Sequence, residues 1–389
     1  MNQRQQRLLY KILSQATAPF REFQVMATVM EAMDRINIPW CQDTLGNIIV
    51  GVDSVKAYKN RVAQPRQEPL RVFIAHMDHP GFHGSRWLST TRLKVRWYGG
   101  SPTRHLRGSR VWIADRNGPI TEGHLVSAQL STRGQGIVSA EVRLSRSAFP
   151  SKRPAATTLH GGFNFRAPLW RQGKRIYTRA ADDLVGVFAI LETARYVASK
   201  RCPSDGSDFI GLLTRAEEVG FVGAIGHFEL GWLHDKRRPV VCVSLEASRT
   251  LVGAKVGKGP VVRLGDRKTA FDPGGLKVLS DLANKLLPTC HQRRIMDGGA
   301  CEAYAATAYN FSTIGVSVPL GNYHNQGFEG GPDCKASGGP APEFVHSDDV
   351  SGLLRLCRGV MTHGLEWASP WEADRKKLKK LFNRYQRLL

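Results

Sequence analysis

Apolar residues recur along this chain in two rhythms. Runs such as Leu70-Arg-Val-Phe-Ile-Ala75, Asp208-Phe-Ile-Gly-Leu-Leu-Thr214, Pro239-Val-Val-Cys-Val-Ser-Leu245 and Ser312-Thr-Ile-Gly-Val-Ser-Val318 are short and end in polar residues. That is the pattern of buried strands reaching one edge of a sheet. Between them the period becomes helical. Leu184, Val187, Phe188, Leu191, Ala194 and Val197 share one face, with Asp182 or Asp183 placed to cap the helix. Further helices are predicted over 5–35, 222–234, 275–287 and 348–363. This alternation predicts an α/β fold: a mixed, mostly parallel sheet flanked by helices on both faces.

Residues 86–175 interrupt the pattern. Leu93-Lys-Val-Arg-Trp97, Arg110-Val-Trp-Ile113 and Gly136-Ile-Val-Ser-Ala-Glu-Val-Arg-Leu144 are short alternating runs separated by Gly, Pro, Asn and Ser. They predict a small β-rich inserted domain. The expected organisation is a discontinuous catalytic domain of residues 1–85 and 176–370, an insertion of 86–175, and a basic helix or tail of 371–389. Residues 325–342, rich in Gly and Pro, read as one long loop, which in a compact domain is usually functional or mobile.

Charge sharpens this division. The chain carries 55 basic and 33 acidic residues, a net +22. Residues 86–179 hold 18 of the basic residues against three acids, and residues 375–389 hold seven against none, so the remainder is neutral. Such segments suit nucleic acid, an anionic membrane, acidic peptides or an acidic patch on another subunit. No RNP, zinc-finger or helix-turn-helix pattern accompanies the charge, so nucleic acid is not expected to be the primary partner. No apolar run approaches the ~20 residues of a transmembrane helix, and no secretory leader is evident. Seven cysteines without a C-x-x-C pair read as reduced thiols. The expected location is the cytoplasm.

Candidate chemistry sits just past the strand ends: His76-Met-Asp78, Asp182-Asp183, Glu217-Glu218, Glu246 and His324. In open α/β sheets that edge is where sites are built. Singly, each has an ordinary reading as a bonded histidine, a helix cap or a solvated pair. Together they form a crowd of carboxylates that would repel one another unless cations held them. Histidines with carboxylates form the donor set of a two-metal hydrolytic site. Residues i and i+2 share a strand face, so Asp78 is placed to bond the second ring nitrogen of His76. Adjacent Glu217 and Glu218 must diverge, one toward a metal and the other toward the attacking water as general base.

The runs Ala75-His-Met-Asp78, Ala181-Asp-Asp-Leu-Val-Gly186 and Thr214-Arg-Ala-Glu-Glu-Val-Gly220 resemble the co-catalytic dinuclear metallopeptidase superfamily. The best match is its tetrahedral-aminopeptidase or glutamyl-aminopeptidase-like branch. Gly257-Lys-Gly-Pro-Val-Val-Arg-Leu-Gly265, Val316-Ser-Val-Pro-Leu-Gly-Asn-Tyr-His324 and the β-rich insertion strengthen the likeness. The resemblance implies a zinc-exopeptidase-like fold and two divalent metal ions per subunit, zinc first, with cobalt or manganese as alternatives. It implies Asp182 as the bridging ligand, with its peptide bond to Asp183 in the cis form. His76 and Glu246 complete one metal site, and Glu218 and His324 the other. Glu217 is then the catalytic base, with Asp78 as its catalytic companion. His79, Glu302 and Asn322 become candidate substrate contacts. The branch further implies cleavage of N-terminal residues from peptides and assembly from dimers up to dodecamers.

The chain also departs from the branch. Asp78-His-Pro-Gly81 stands where Asp-Glu-Ile-Gly is usual, and Glu246 stands where Asp is usual. A Glu there is more typical of carboxypeptidases and N-acyl-amino-acid deacylases. Three readings therefore stand: an aminopeptidase whose substrates could be acidic, a deacylase or carboxypeptidase using the same site, and an inactive basic binding scaffold.

Overall fold

In the computed structural model, which describes residues 1–389 apart from 133, 135, 150–151, 200–201, 203–205 and 236, the apolar runs pair into one eight-stranded sheet. Four strands form its parallel centre, in the order Phe209–Thr214, Leu70–His76, Val240–Arg249 and Ser312–Leu320. Ile48–Val50 and Val261–Asp266 flank them antiparallel, and Trp40–Gln42 and Gln292–Met296 close the two edges. Period-two alternation then builds two cores. Phe73 and Ala75 face one with helices Gln3–Leu13, Phe23–Asp34, Leu184–Val197, Pro273–Leu286 and Ser347–Val360. Val72 and Ile74 face the other, under helices Val55–Ala63, Val222–Glu229 and Glu302–Ala308. The fold is the mixed α/β sandwich expected, and parallel pairing brings the ends of the central strands to one edge.

Three local expectations change. The helix expected over 5–35 is two helices, because Pro19 and the left-handed Phe20 (φ 65°) turn the chain between them. The insertion is a closed six-stranded barrel whose strands run from Gly81–Trp87 to His160–Phe163. Its first strand starts before residue 86, since Phe82 already belongs to the barrel interior with Val95, Val111 and Val142. Leu169–Gln172 and Arg175–Thr178 lie outside the barrel and form a three-stranded sheet with Glu343–His346. Within the long loop after His324, an isolated bridge joins Gln326 to Pro340. The basic tail forms helix Glu372–Tyr385. Among the described residues no helix is long and apolar enough to cross a membrane.

Barrel and sandwich meet around His160, whose ring packs edge-on against Phe23 and Trp112. Neither ring nitrogen has a hydrogen-bond partner among the described residues. Burial, then the nearby His83 and Arg21, push its pKa down to about 3. In the unfolded chain the same group protonates near 6.5. The unfolded state therefore binds the extra proton first, and stability drains away as pH falls through that window. We expect the stability of the wild type relative to His160→Met to decline from pH 6.5 toward pH 3, by on the order of a few kcal/mol. Urea midpoints that differ by a constant amount across this range would refute it.

Candidate metal centre

The central strands and the segments beside them bring their donors to one edge. His76 ends Leu70–His76, and its Nε2 lies 3.5 Å from Asp182 Oδ1 and 3.9 Å from Glu217 Oε2. Asp182 precedes helix Leu184–Val197 and is joined to Asp183 by a cis peptide bond. Asp183 is the cap, accepting from Gly186 N–H at 3.1 Å. Glu217 and Glu218 occupy a short 3₁₀ turn after Phe209–Thr214, and Glu246 lies within Val240–Arg249. His324 follows Ser312–Leu320, with its Nε2 3.6 Å from Asp182 Oδ2. His76, Asp182 and Glu246 form one group of donors lying within 4.8 Å of one another, and Asp182, Glu218 and His324 form another. His76, Glu217 and Glu218 make an overlapping third.

The donor set fits divalent cations. Asp182 Oδ1, Glu218 Oε1, Glu246 Oε1 and His324 Nε2 are buried without a hydrogen-bond partner among the described residues. His324 Nε2 does approach Glu218 Oε2 to 3.0 Å, but outside hydrogen-bonding geometry. Buried oxygen and imidazole donors with no other partner are what zinc-like ions require.

Residues 162–328 match the family model of the M42 glutamyl aminopeptidases. That span contains Asp182, Glu217, Glu218, Glu246 and His324, though not His76. The expected likeness is borne out. The match makes the chain a metal-dependent exopeptidase in class. No curated protein matches it. Among solved structures, an aminopeptidase from the archaeon Desulfurococcus kamchatkensis superposes with TM-score 0.72 at 20% identity, covering 94% of this chain and 96% of that one. The TET aminopeptidase of a marine-sediment thaumarchaeon gives TM-score 0.70 at 18% identity, over 94% and 99%. The TET1 peptidase of Pyrococcus horikoshii, described as assembling into a tetrahedron or a large octahedral shell, gives 0.67 at 20%, over 92% and 99%. At these identities the superpositions speak for the fold.

Around the M42-like centre, buried acids hold the backbone that carries the donors. Asp78 was expected to bond the His76 ring. Instead, its carboxylate accepts from Glu217 N–H at 2.9 Å and Glu218 N–H at 3.1 Å. His76 Nδ1 turns to the Asp78 backbone carbonyl at 3.1 Å, with Asp78 Oδ1 at 3.6 Å. Two backbone amides aimed at one carboxylate outcompete the single ring N–H. Glu343, which sequence reasoning missed, does the same on the opposite side. It accepts from Ala181 N–H at 2.7 Å, Asp182 N–H at 3.2 Å and His324 N–H at 2.8 Å. Its only signal was an acid heading the apolar run Glu343–His346. Gly100 matters through its missing side chain, since a Cβ there would meet His324 Nδ1 at 2.1 Å.

The three expected substrate contacts are all buried beside the centre. His79 is buried and bonded to the Asp182 carbonyl at 3.0 Å and Asn325 Oδ1 at 3.3 Å. Glu302 is fully buried and accepts from the Thr214 hydroxyl. Asn322 is fully buried, donating to the carbonyls of Gly330 and Pro342 and accepting from Glu329 N–H. The polar atoms of His79 and the Asn322 side chain are engaged by the protein, whereas Glu302 Oε2 has no hydrogen-bond partner among the described residues.

The electrostatics describe a crowded anionic site. Burial first, and then Glu218, Glu246 and Glu302 against the opposing pull of His76, raise the Glu217 pKa well above the carboxylate range. Burial likewise lifts Glu246 to about 8 and Glu302 to about 7. For His76 burial pulls downward, but Glu217, Asp182 and Asp78 outweigh it and raise the pKa well above 6.5. Cations among these donors would favour the ionised acids and neutral imidazoles. Since Glu343 positions two donors at once, Glu343→Gln is expected to weaken metal affinity 10–100-fold. Equilibrium dialysis against zinc would measure it, and wild-type affinity would remove Glu343 from that role.

Proposed function

We propose that this chain is a two-metal aminopeptidase that removes N-terminal residues from peptides, with Glu217 as general base. One observation carries the reading: two donor groups share Asp182, and Glu217 lies beside them. His76, Asp182 and Glu246 would hold one ion and Asp182, Glu218 and His324 the other, with zinc as the first candidate and cobalt or manganese as alternatives. Bound there, such ions polarise the scissile carbonyl and lower the pKa of water. The protein's own part is positional and protonic. Asp78 fixes the turn bearing Glu217 and Glu218, so the Glu217 carboxylate faces the donor cluster. Glu217 takes the proton of the attacking water and delivers it to the leaving amine. The carboxylate-rich site also suits the positive α-ammonium of a free N-terminus.

A cavity beside the site is lined by Glu246, Arg263, Met296, Cys301 and Tyr323. Arg263 is buried, its Nη1 is 3.9 Å from Glu246 Oε1, and its Nε and Nη1 have no hydrogen-bond partner among the described residues. A buried guanidinium with unused donors suits a substrate carboxylate. Within the aminopeptidase reading that favours an acidic first residue. The same cation also gives weight to a second reading, a carboxypeptidase or N-acyl-amino-acid deacylase. The oligomeric assemblies described for the similar archaeal peptidases support a homo-oligomer, from dimer up to dodecamer.

The test begins with metal content and turnover of free-amine, N-acetylated and C-terminally varied dipeptides before and after chelation. We expect about two metals per chain, in keeping with a two-metal site, and chelator-sensitive cleavage of free-amine substrates only. Glu217→Gln should lower kcat by roughly 10²-fold or more while metal stays bound; unchanged kcat would remove the base assignment. Glutamyl dipeptides should exceed leucyl ones in kcat/KM by about tenfold or more, as expected for a charge-assisted contact. Arg263→Met should erase that preference mainly through KM. A preference that survives in the metal-loaded variant excludes Arg263 as its source.

A further inference from the structure

No residue of helix Glu372–Tyr385 is buried. Its base is tied to the body, where Lys277 Nζ lies 3.2 Å from Asp374 Oδ2 and 5.7 Å from the centre of the Trp371 ring. Beyond that tie the helix separates two chemistries. Leu378, Leu381, Phe382, Tyr385 and Leu388 recur at three- and four-residue steps and share one side, with 50–83% of each exposed. Lys376, Lys377, Lys379, Lys380, Arg384 and Arg387 point elsewhere around the helix, and residues 375–389 contain no acid.

We propose that this helix docks the protein on the surface of an anionic lipid bilayer. It would lie in the interface, with its apolar side toward the acyl chains and its basic residues among the headgroups. Both halves of the helix constrain the occupant. A second copy would cover the apolar side but bring a second tail of seven basic residues to a chain of net charge +22. A nucleic acid would satisfy the charges and leave Leu381 and Phe382 in water. An anionic bilayer satisfies both. Spanning is excluded for this segment, since 14 helical residues rich in lysine and arginine fall short of a bilayer's thickness.

Full-length protein should co-sediment with phosphatidylcholine vesicles containing phosphatidylserine, and not with phosphatidylcholine alone. Leu381→Ser/Phe382→Ser leaves the charge unchanged and touches no core residue. It should weaken binding about tenfold or more while peptide hydrolysis stays at the wild-type level. Binding that ignores this variant would be electrostatic adhesion through the barrel, and would overturn the proposal. So would a lack of binding to the anionic vesicles. In that case a variant-sensitive change in assembly size assigns the face to a second copy, and variant-sensitive binding to a DNA duplex assigns it to nucleic acid.

Discussion

Repulsion among buried carboxylates is the constraint on which this architecture turns. Asp182, Glu217 and Glu246 are buried at one sheet edge beside the half-buried Glu218, and they come from three separate parts of the chain. Unaided, such a cluster would drive its members to protonate, and the raised pKa of Glu217 and of Glu246 shows that pressure. A fold that holds the cluster must deliver its donors from rigid elements. The parallel centre of the sheet does so, because parallel strands end on one side and their following loops meet there.

The same constraint explains why the supporting shell is also acidic. Asp78 and Glu343 accept backbone N–H groups from the residues that bear the donors. Glu22 accepts from Ala216 N–H at 3.1 Å, just before the Glu217 turn. A carboxylate saturated with backbone donors can stay buried without adding a free charge to the crowd. These contacts also hold left-handed residues in place: Ala216 at φ 54° and His324 at φ 54° flank or belong to the centre. Left-handed non-glycine residues cost about 1–3 kcal/mol each and persist only where the surroundings over-determine them. The long loop after His324 is held in the same manner. Arg166 of the strand-linking segment pairs with Asp333 at 2.6 Å, and Asn322 grips Glu329 and Gly330.

What sequence could reveal followed from locality. Continuous apolar runs announced the central strands, and the polar residues ending them announced the donors, because strand direction and burial are written in adjacent residues. Strands Val261–Asp266 and Gln292–Met296 escaped notice, since Arg263, Arg293 and Arg294 break their apolar pattern. Helix Glu302–Ala308 is short and rich in alanine, which gives no amphipathic stripe to read. Glu343 and the true partners of Asp78 lay beyond reach for another reason. A buried polar side chain is defined by the backbone it meets, and for Glu343 that backbone is some 160 residues away along the chain. The same non-locality hid the internal partners of His79 and Asn322.

Glu246 joins the metal chemistry to the question of what is bound. It belongs to the donor group of His76 and Asp182, and it also faces Arg263 across 3.9 Å. Arg263 is the buried cation of the adjoining cavity, and burial alone would pull its pKa down. Cys301, Glu246 and Asp266 more than compensate and hold it above its usual value. A carboxylate committed to a cation on one side has less charge to share with a guanidinium on the other. Within the proposed two-metal reading, a cation held by Glu246 would leave less of its charge facing Arg263. Glu246 is thus the side chain that the donor group and the lining of the adjoining cavity have in common.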